Sequence, residues 1–255
     1  MSKSAEEQSR SQYFSEDDLA KLELNRIPRH VAIIPDGNRR WAEQKLQNLG
    51  SGHEAGADVL IDIVSAARDL GIKILTVYGF STENWLRSEG EVSVILSVIQ
   101  DYLTEQCPRM VESGIRLETI GDLSRFSDSF LNTVRETKQA TEHCKEITLV
   151  LALNYGGRDE ICRATKRLAE KCATGSLDPK QINEEMIREY MDSAPWPDPD
   201  LFIRTSGEYR ISNYLLWQMA YTEIHIEEKF WPSYSPHDLL NAVIAFQSRN
   251  RRFGE

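Results

Sequence analysis

Short runs of Val, Ile and Leu alternate along the chain with longer segments whose apolar residues recur at helical spacing. His30–Ile34, 72–80, Ile115–Ile120, 148–153, Leu201–Arg204 and Glu223–Ile226 read as six strands. Helices are expected over 53–70, 91–105, 126–143, 159–172, 183–191 and 236–252. Strands separated by helices of this length cannot pair as hairpins, so they form a mostly parallel sheet covered by helices on both faces. No repeat or linker interrupts the pattern. The reading is one α/β domain over residues 24–255, preceded by a polar, frayed tail over 1–23 in which Ser15 and Asp18 cap a short helix.

In an open parallel sheet, ligands bind beyond the C-terminal ends of the strands. Four polar strings fall there: Asp36-Gly37-Asn38-Arg39-Arg40-Trp41, 81–85, 154–158 and 204–212. Their convergence on one rim is better evidence for a site than any string alone.

The first string leaves a strand and opens a helix. Gly37 permits a tight turn with exposed N–H groups, and Arg39 and Arg40 add donors suited to phosphate. Asp36 would repel a bare phosphate, which suggests a divalent cation such as Mg2+ between them. A structural turn with an Asp–Arg ion pair explains the same string equally well. Around 200–212, Arg204 and Arg210 lie in a Gly-containing loop with Thr205, Ser206 and Ser212 as further donors; taken alone, a solvated basic loop is the better account. Glu223, at the start of the last strand, is a candidate second carboxylate for a cation. His53 opens a helix, where histidines are more often merely exposed. Ser81, Glu83 and Asn84 beside Phe80 and Trp85 suit a lid over a partly apolar substrate, or an ordinary surface loop with one buried Trp.

A net charge of -10 makes the chain a poor binder of nucleic acid, so any anionic ligand needs a local arginine cluster. Cys107, Cys144, Cys162 and Cys172 form no C-x-x-C pair and read as reduced thiols; no zinc site is expected. The first residues lack the apolar core of a secretory signal, and no run is long enough to span a bilayer, so a cytoplasmic location is expected. P-loop, dinucleotide, zinc-protease and nucleophile-elbow signatures do not occur.

Seven strings together resemble the cis-prenyltransferase family, whose bacterial members are undecaprenyl diphosphate synthases: HVAIIPDGNRRWA, GHEAG, YGFSTENW with Arg87, LNYGGR, DLFIRTSGEYRISNYLLW, AYTEI and RRFG. They stand in family order over residues 29–254. The resemblance implies repeated condensation of isopentenyl diphosphate onto an allylic diphosphate such as farnesyl diphosphate. The product would be a long polyprenyl diphosphate, a precursor of the lipid carrier for cell-wall glycans. It implies Asp36 and Glu223 as Mg2+ ligands, and Gly37, Asn38, Arg39, Arg40, Trp41 and His53 around the allylic diphosphate. Asn84 and Arg87 would assist condensation, with Ser81, Glu83 and Trp85 on a flexible loop. Arg204, Arg210 and Ser212 would hold isopentenyl diphosphate. An apolar tunnel between sheet and helices would take the growing chain, with Ile147 at its floor. A homodimer in which Arg252-Phe253-Gly254 reaches the partner's site is also implied, as is peripheral membrane contact during product release.

Three positions depart from the family: Arg39 replaces a glycine, Leu49 stands where an arginine is usual, and Tyr209 where a histidine is common. Two other readings compete. A non-catalytic subunit of the same fold would lack parts of the Asp–Arg set present here. A phosphatase using Asp36 as nucleophile would want an Asp-x-Asp pattern, which is absent.

Overall fold

The computed structural model describes residues 11–249, except the side chain of Leu49. The 251–254 motif and the Leu49 substitution therefore lie outside the described residues. Six strands form one sheet: β1 His30–Ile34, β2 Ile74–Ser81, β3 Ile115–Ile120, β4 Ile147–Tyr155, β5 Leu201–Arg204 and β6 Glu223–Ile226. Their order is β3-β4-β2-β1-β5-β6, and every neighbouring pair is parallel. All six expected strands are present, and the sheet is wholly rather than mostly parallel.

Alternation along the strands divides the core. Val31, Ile33, Leu75, Val77, Leu149 and Leu151 face one side and Ala32, Ile34, Ile74, Val150 and Ala152 the other, as a two-residue period requires. The larger core packs against α3 (Leu49–Asp69), α4 (Glu89–Glu112), α5 (Asp128–Thr141) and α8 (Pro236–Gln247). The other face is covered by the 205–219 segment, through Tyr214 and Leu215, and by α6 (Gly157–Ala173), whose buried Glu160 accepts from the Tyr155 hydroxyl at 2.6 Å.

α4 and α6 run longer at both ends than periodicity suggests and α5 shorter at both, and caps set several of the helix starts. Asn48, Ser88 and Ser127 accept the N–H of Ser51, Glu91 and Phe130 and so start α3, α4 and α5. α4 passes through Pro108 and ends at Glu112, beyond the expected end at 105. Within the stretch read as a polar tail, Ser15 and Asp18 do form a capping box on α1 (Glu16–Leu19). That segment packs on the body: Phe14 is buried in the larger core and the Tyr13 hydroxyl donates to Asp62 at 2.9 Å.

Candidate active site

β1 ends at Ile34, and Pro35 and Asp36 carry the chain over the rim into α2 (Asn38–Gln44). Asp36 is clamped by backbone: its N–H donates to the Thr205 hydroxyl at 2.8 Å, and that hydroxyl donates to the Asp36 carbonyl at 2.7 Å. Gly37 turns the chain with φ of 100°, where a Cβ would lie 2.7 Å from the Phe230 ring. The turn brings the Gly37 N–H back onto the Asp36 carboxylate at 2.7 Å.

Arg204, at the end of the adjacent β5, is almost wholly buried. Its Nη2 meets Asp36 at 2.7 Å, its Nη1 donates to Ser212 at 2.7 Å and to the Arg210 carbonyl, and its Nε has no partner. Arg40 reaches the other Asp36 oxygen at 3.3 Å, Ser206 at 2.6 Å and Glu208 at 2.7 Å. Burial pushes the Asp36 carboxyl upward, but the hydrogen bond and charge of Arg204, with Arg40 behind it, outweigh burial and hold it below the usual carboxylate range. Asp36 is therefore an anion at neutral pH. The Asp–Arg ion pair of the structural alternative exists, and it sits in a cleft.

That cleft has two adjoining parts. One, of about 590 Å³, is lined by Arg204, Arg210 and Ser212 on one side and by Ser81, Glu83, Asn84 and Arg87 on the other. The second, of about 410 Å³, is lined by Gly37, Arg39, Arg40 and Glu91. Pro35, Asp36, Asn38, His53 and Arg87 border both, so Asp36 stands at their junction. Burial, reinforced by the Arg87 charge, lowers the pKa of His53, with Glu91 opposing; the imidazole is a neutral hydrogen-bonding group here. Five arginines line the cleft, each paired with a carboxylate.

Asn84 caps its own turn by accepting the Ser81 N–H at 2.8 Å, and Arg87 is held by Glu91 at 2.6 Å. Arg39 pairs with Glu43 at 2.9 Å and is largely exposed. Several expected site residues fall elsewhere. Trp41 donates its indole N–H to Ser233 at 3.0 Å and does not line the cleft. Trp85 packs on Phe80 and Phe126, lies under the Arg125 guanidinium and donates to Asn154 at 2.8 Å. It braces the loop from behind. The 154–158 string acts likewise: the Arg158 N–H donates to Asn213 at 2.9 Å.

Glu223 is not brought beside Asp36. It pairs with Leu201, whereas Ile34, which leads into Asp36, pairs with Arg204. Three strand residues, about 10 Å, separate the two levels. Glu223 sits at the opposite edge of the sheet, paired with Arg249 at 2.9 Å, and within one chain it cannot share a cation with Asp36.

The sequence reading missed Glu208 and Asn213. Glu208 bridges Arg40 and Arg210 with its two oxygens, and its place between candidate arginines was the available signal. Asn213 donates to Glu83 at 2.8 Å from a left-handed backbone, φ 61°, a conformation asparagine tolerates well.

Beneath the cleft lies an apolar pocket of about 90 Å³, floored by Leu60, Tyr102 and Leu151. Pro35, Asn38, His53, Gly79 and Ile95 line both pocket and cleft. Ile147 is 1% exposed at the far end of β4 and lines neither.

An arginine-rich rim site that opens directly onto apolar walls defines an enzyme handling anionic groups attached to hydrocarbon. Comparison with known proteins narrows the class. The family described as "Putative undecaprenyl diphosphate synthase" matches residues 34–254, and the chain belongs to that family of prenyl-transferring enzymes. It is 44% identical to an isoprenyl transferase of Chlamydia caviae over 94% of this chain and 97% of that one. It is 43% identical to a farnesyl-diphosphate-specific ditrans,polycis-undecaprenyl-diphosphate synthase of Micrococcus luteus, covering 89% of this chain and 92% of that one. The crystal structure of lavandulyl diphosphate synthase from Lavandula x intermedia, in complex with dimethylallyl diphosphate, superposes with a TM-score of 0.88 at 34% identity, covering 91% of this chain and all of that one.

Proposed function

We propose that this protein condenses isopentenyl diphosphate repeatedly onto an allylic diphosphate, of which farnesyl diphosphate is the first choice, to give a cis-polyprenyl diphosphate of the undecaprenyl type. The observation that carries the reading is the double cleft. Two anion-binding parts meet at one carboxylate, and both border apolar walls. A chemistry with two diphosphates, one of which carries a hydrocarbon tail, needs that arrangement.

The part lined by Gly37, Asn38, Arg39, Arg40 and His53 suits the allylic diphosphate. The part lined by Arg204, Arg210 and Ser212 suits isopentenyl diphosphate. The carbon–oxygen bond of the allylic substrate breaks and its electron pair leaves with the diphosphate. The double bond of isopentenyl diphosphate attacks that carbon, and a proton is lost to restore an allylic double bond. Arginines fixed by Asp36, Ser206 and Ser212 are already aimed where negative charge develops, so little reorganisation is needed. Holding both substrates in line lowers the entropic part of the barrier. Asn84 and Arg87, on the turn that faces both parts, orient the reacting ends.

The donor set fits Mg2+. Among the described residues no three carboxylates, histidines or cysteines gather, but Mg2+ commonly uses one or two carboxylates completed by substrate phosphates. Asp36 is such a carboxylate, ionised and at the junction. When bound there, Mg2+ would neutralise the departing diphosphate. Glu223 is at the wrong edge to complete the site within one chain, and a partner subunit is the remaining route by which it would take part. No helix among the described residues is long and apolar enough to cross a membrane. We place the enzyme in the cytoplasm as a homodimer, with membrane contact confined to product release.

Purified protein incubated with radiolabelled isopentenyl diphosphate, farnesyl diphosphate and Mg2+ is expected to yield elongated prenyl diphosphates, sized by chromatography after dephosphorylation. Phosphate release without elongation would mark a phosphatase. Binding without turnover would mark a non-catalytic subunit.

A further inference from the structure

Glu208 lines neither part of the cleft, yet it holds an arginine of each. Arg40 lines the smaller part and not the larger; Arg210 lines the larger and not the smaller. One Glu208 oxygen pairs with Arg40 at 2.7 Å and the other with Arg210. Arg40 also reaches Asp36. Charges therefore alternate from Asp36 through Arg40 and Glu208 to Arg210. The chain starts at the junction of the two parts, passes behind the cleft and returns to it in the larger part.

The two arginines depend on Glu208 unequally. Without it Arg40 keeps Asp36, the Ser206 hydroxyl at 2.6 Å and the face of Phe230, whose centroid is 5.4 Å away. Arg210 has less. Its backbone is fixed, because its carbonyl accepts from Arg204. Its side chain is 59% exposed, and among the described residues Glu208 is the one group paired with its guanidinium. A long side chain loose in water loses rotamer freedom when it binds an anion; one already held in place loses less. Glu208 stands on fixed backbone. Ser206 and Gly207 before it are left-handed, with φ of 75° and 67°. Their N–H groups donate to the Lys229 and Glu227 carbonyls at 2.8 Å and 2.9 Å. Partly exposed ion pairs add little stability, so what this bridge contributes is direction.

We infer that Glu208 is a positioning residue for the isopentenyl diphosphate part: it aims Arg210 into the larger part of the cleft, and Arg40, from the smaller part, fixes that aim by holding its other oxygen. The inference rests on the prenyltransferase reading. It makes the affinity of one part depend on an arginine that lines only the other.

Calorimetry with isopentenyl diphosphate and Mg2+, in the absence of allylic substrate, tests it. Glu208→Gln keeps the shape but turns an amide NH2 towards one of the two guanidiniums, so the bridge opens. It is expected to weaken binding by about tenfold without lowering Tm. Arg40→Gln removes no group that lines the larger part, yet is expected to weaken binding there by about threefold. In the Glu208→Gln background it adds nothing further. An Arg40→Gln effect of equal size in both backgrounds runs through Asp36 instead and overturns the inference. Unchanged binding by Glu208→Gln makes the residue a bystander, and tighter binding makes it a competitor of the substrate; either overturns it too. In turnover, Glu208→Gln raises the KM for isopentenyl diphosphate about tenfold and that for farnesyl diphosphate less than about threefold. Equal rises reject the assignment to one part. If the wild type binds no isopentenyl diphosphate, the functional reading is what fails, and the same set of variants titrated with inorganic pyrophosphate decides for Glu208.

Discussion

Asp36 serves two purposes that mutagenesis can separate. Its charge is the candidate metal ligand, and the same carboxylate is the counter-ion of the buried Arg204 guanidinium. Asp36→Asn keeps the shape and one acceptor while removing the charge. It is expected to lower kcat by about 100-fold or more, and to abolish the Mg2+ dependence of diphosphate binding seen by calorimetry. Both variants leave Arg204 without its anion, and Asp36→Ala also removes its hydrogen-bond acceptor. A further loss of about 2 kcal/mol is expected in a urea titration, below the 3–5 typical of fully buried pairs because Asp36 is partly exposed. Equal stability of the two variants would show that this hydrogen bond has no part in holding Arg204. His30 offers a residue-scale test outside the site. Its ring is bound by the Pro197 carbonyl and the Thr76 hydroxyl, each at 2.7 Å, and burial lowers its pKa to about 4. The unfolded chain takes up a proton below about pH 6.5 that the folded chain refuses until about pH 4. This contribution is complete above pH 6.5 and is lost as pH falls between those values, by about 2 kcal/mol at pH 5. His30→Gln should abolish that part of the slope in urea titrations at pH 7 and pH 5.

The cleft depends on how closely α2 and α3 approach. A Cβ on Gly52 would lie 2.2 Å from the Asn38 carbonyl oxygen, and one on Gly56 2.8 Å from the Asn38 side chain. These two positions, one turn apart on α3, let the helix bearing His53 sit against the turn bearing Asn38 and Arg40. Gly52→Ala cannot be absorbed by a side-chain rotation, because the obstacle is backbone. It is expected to cost about 1–3 kcal/mol by overpacking and to raise the KM for the allylic substrate as α2 is displaced. Gly90→Ala, at the start of α4 with nothing within 4 Å of the new methyl group, should be neutral or stabilising by up to about 1 kcal/mol. Comparing the two by Tm and steady-state kinetics separates close packing from helix propensity. If both behave alike, the approach of α2 to α3 does not shape the site.

Across the whole molecule, a wholly parallel sheet gives the rim its chemistry. Every strand delivers its C-terminal end to one edge, which gathers arginines from residues 39 to 210 of an otherwise acidic chain. The same polarity explains Glu223. Being at the start of β6, it belongs to the opposite edge. The larger core beneath the rim is continuous from Ile147 to Phe80. Truncation of Ile147 falls in the range of about 2–5 kcal/mol for buried aliphatic residues.

Local chemistry was legible without coordinates. The strands, the rim motifs and the Ser15–Asp18 cap follow from side-chain period, turn residues and the rule that strand ends bind ligands, all of which act over a few residues. Tertiary structure alone decided which helix face meets which cavity. Trp41 and Trp85 resemble cleft aromatics in sequence, yet helix rotation and the Phe80–Phe126 cluster turn them away. Glu208 becomes the bridge between two arginines only once the loop after β5 folds back over α2. The apolar pocket beneath the cleft follows from α3, α4 and β4 packing together, because volume and closure belong to contacts between distant segments rather than to any one of them.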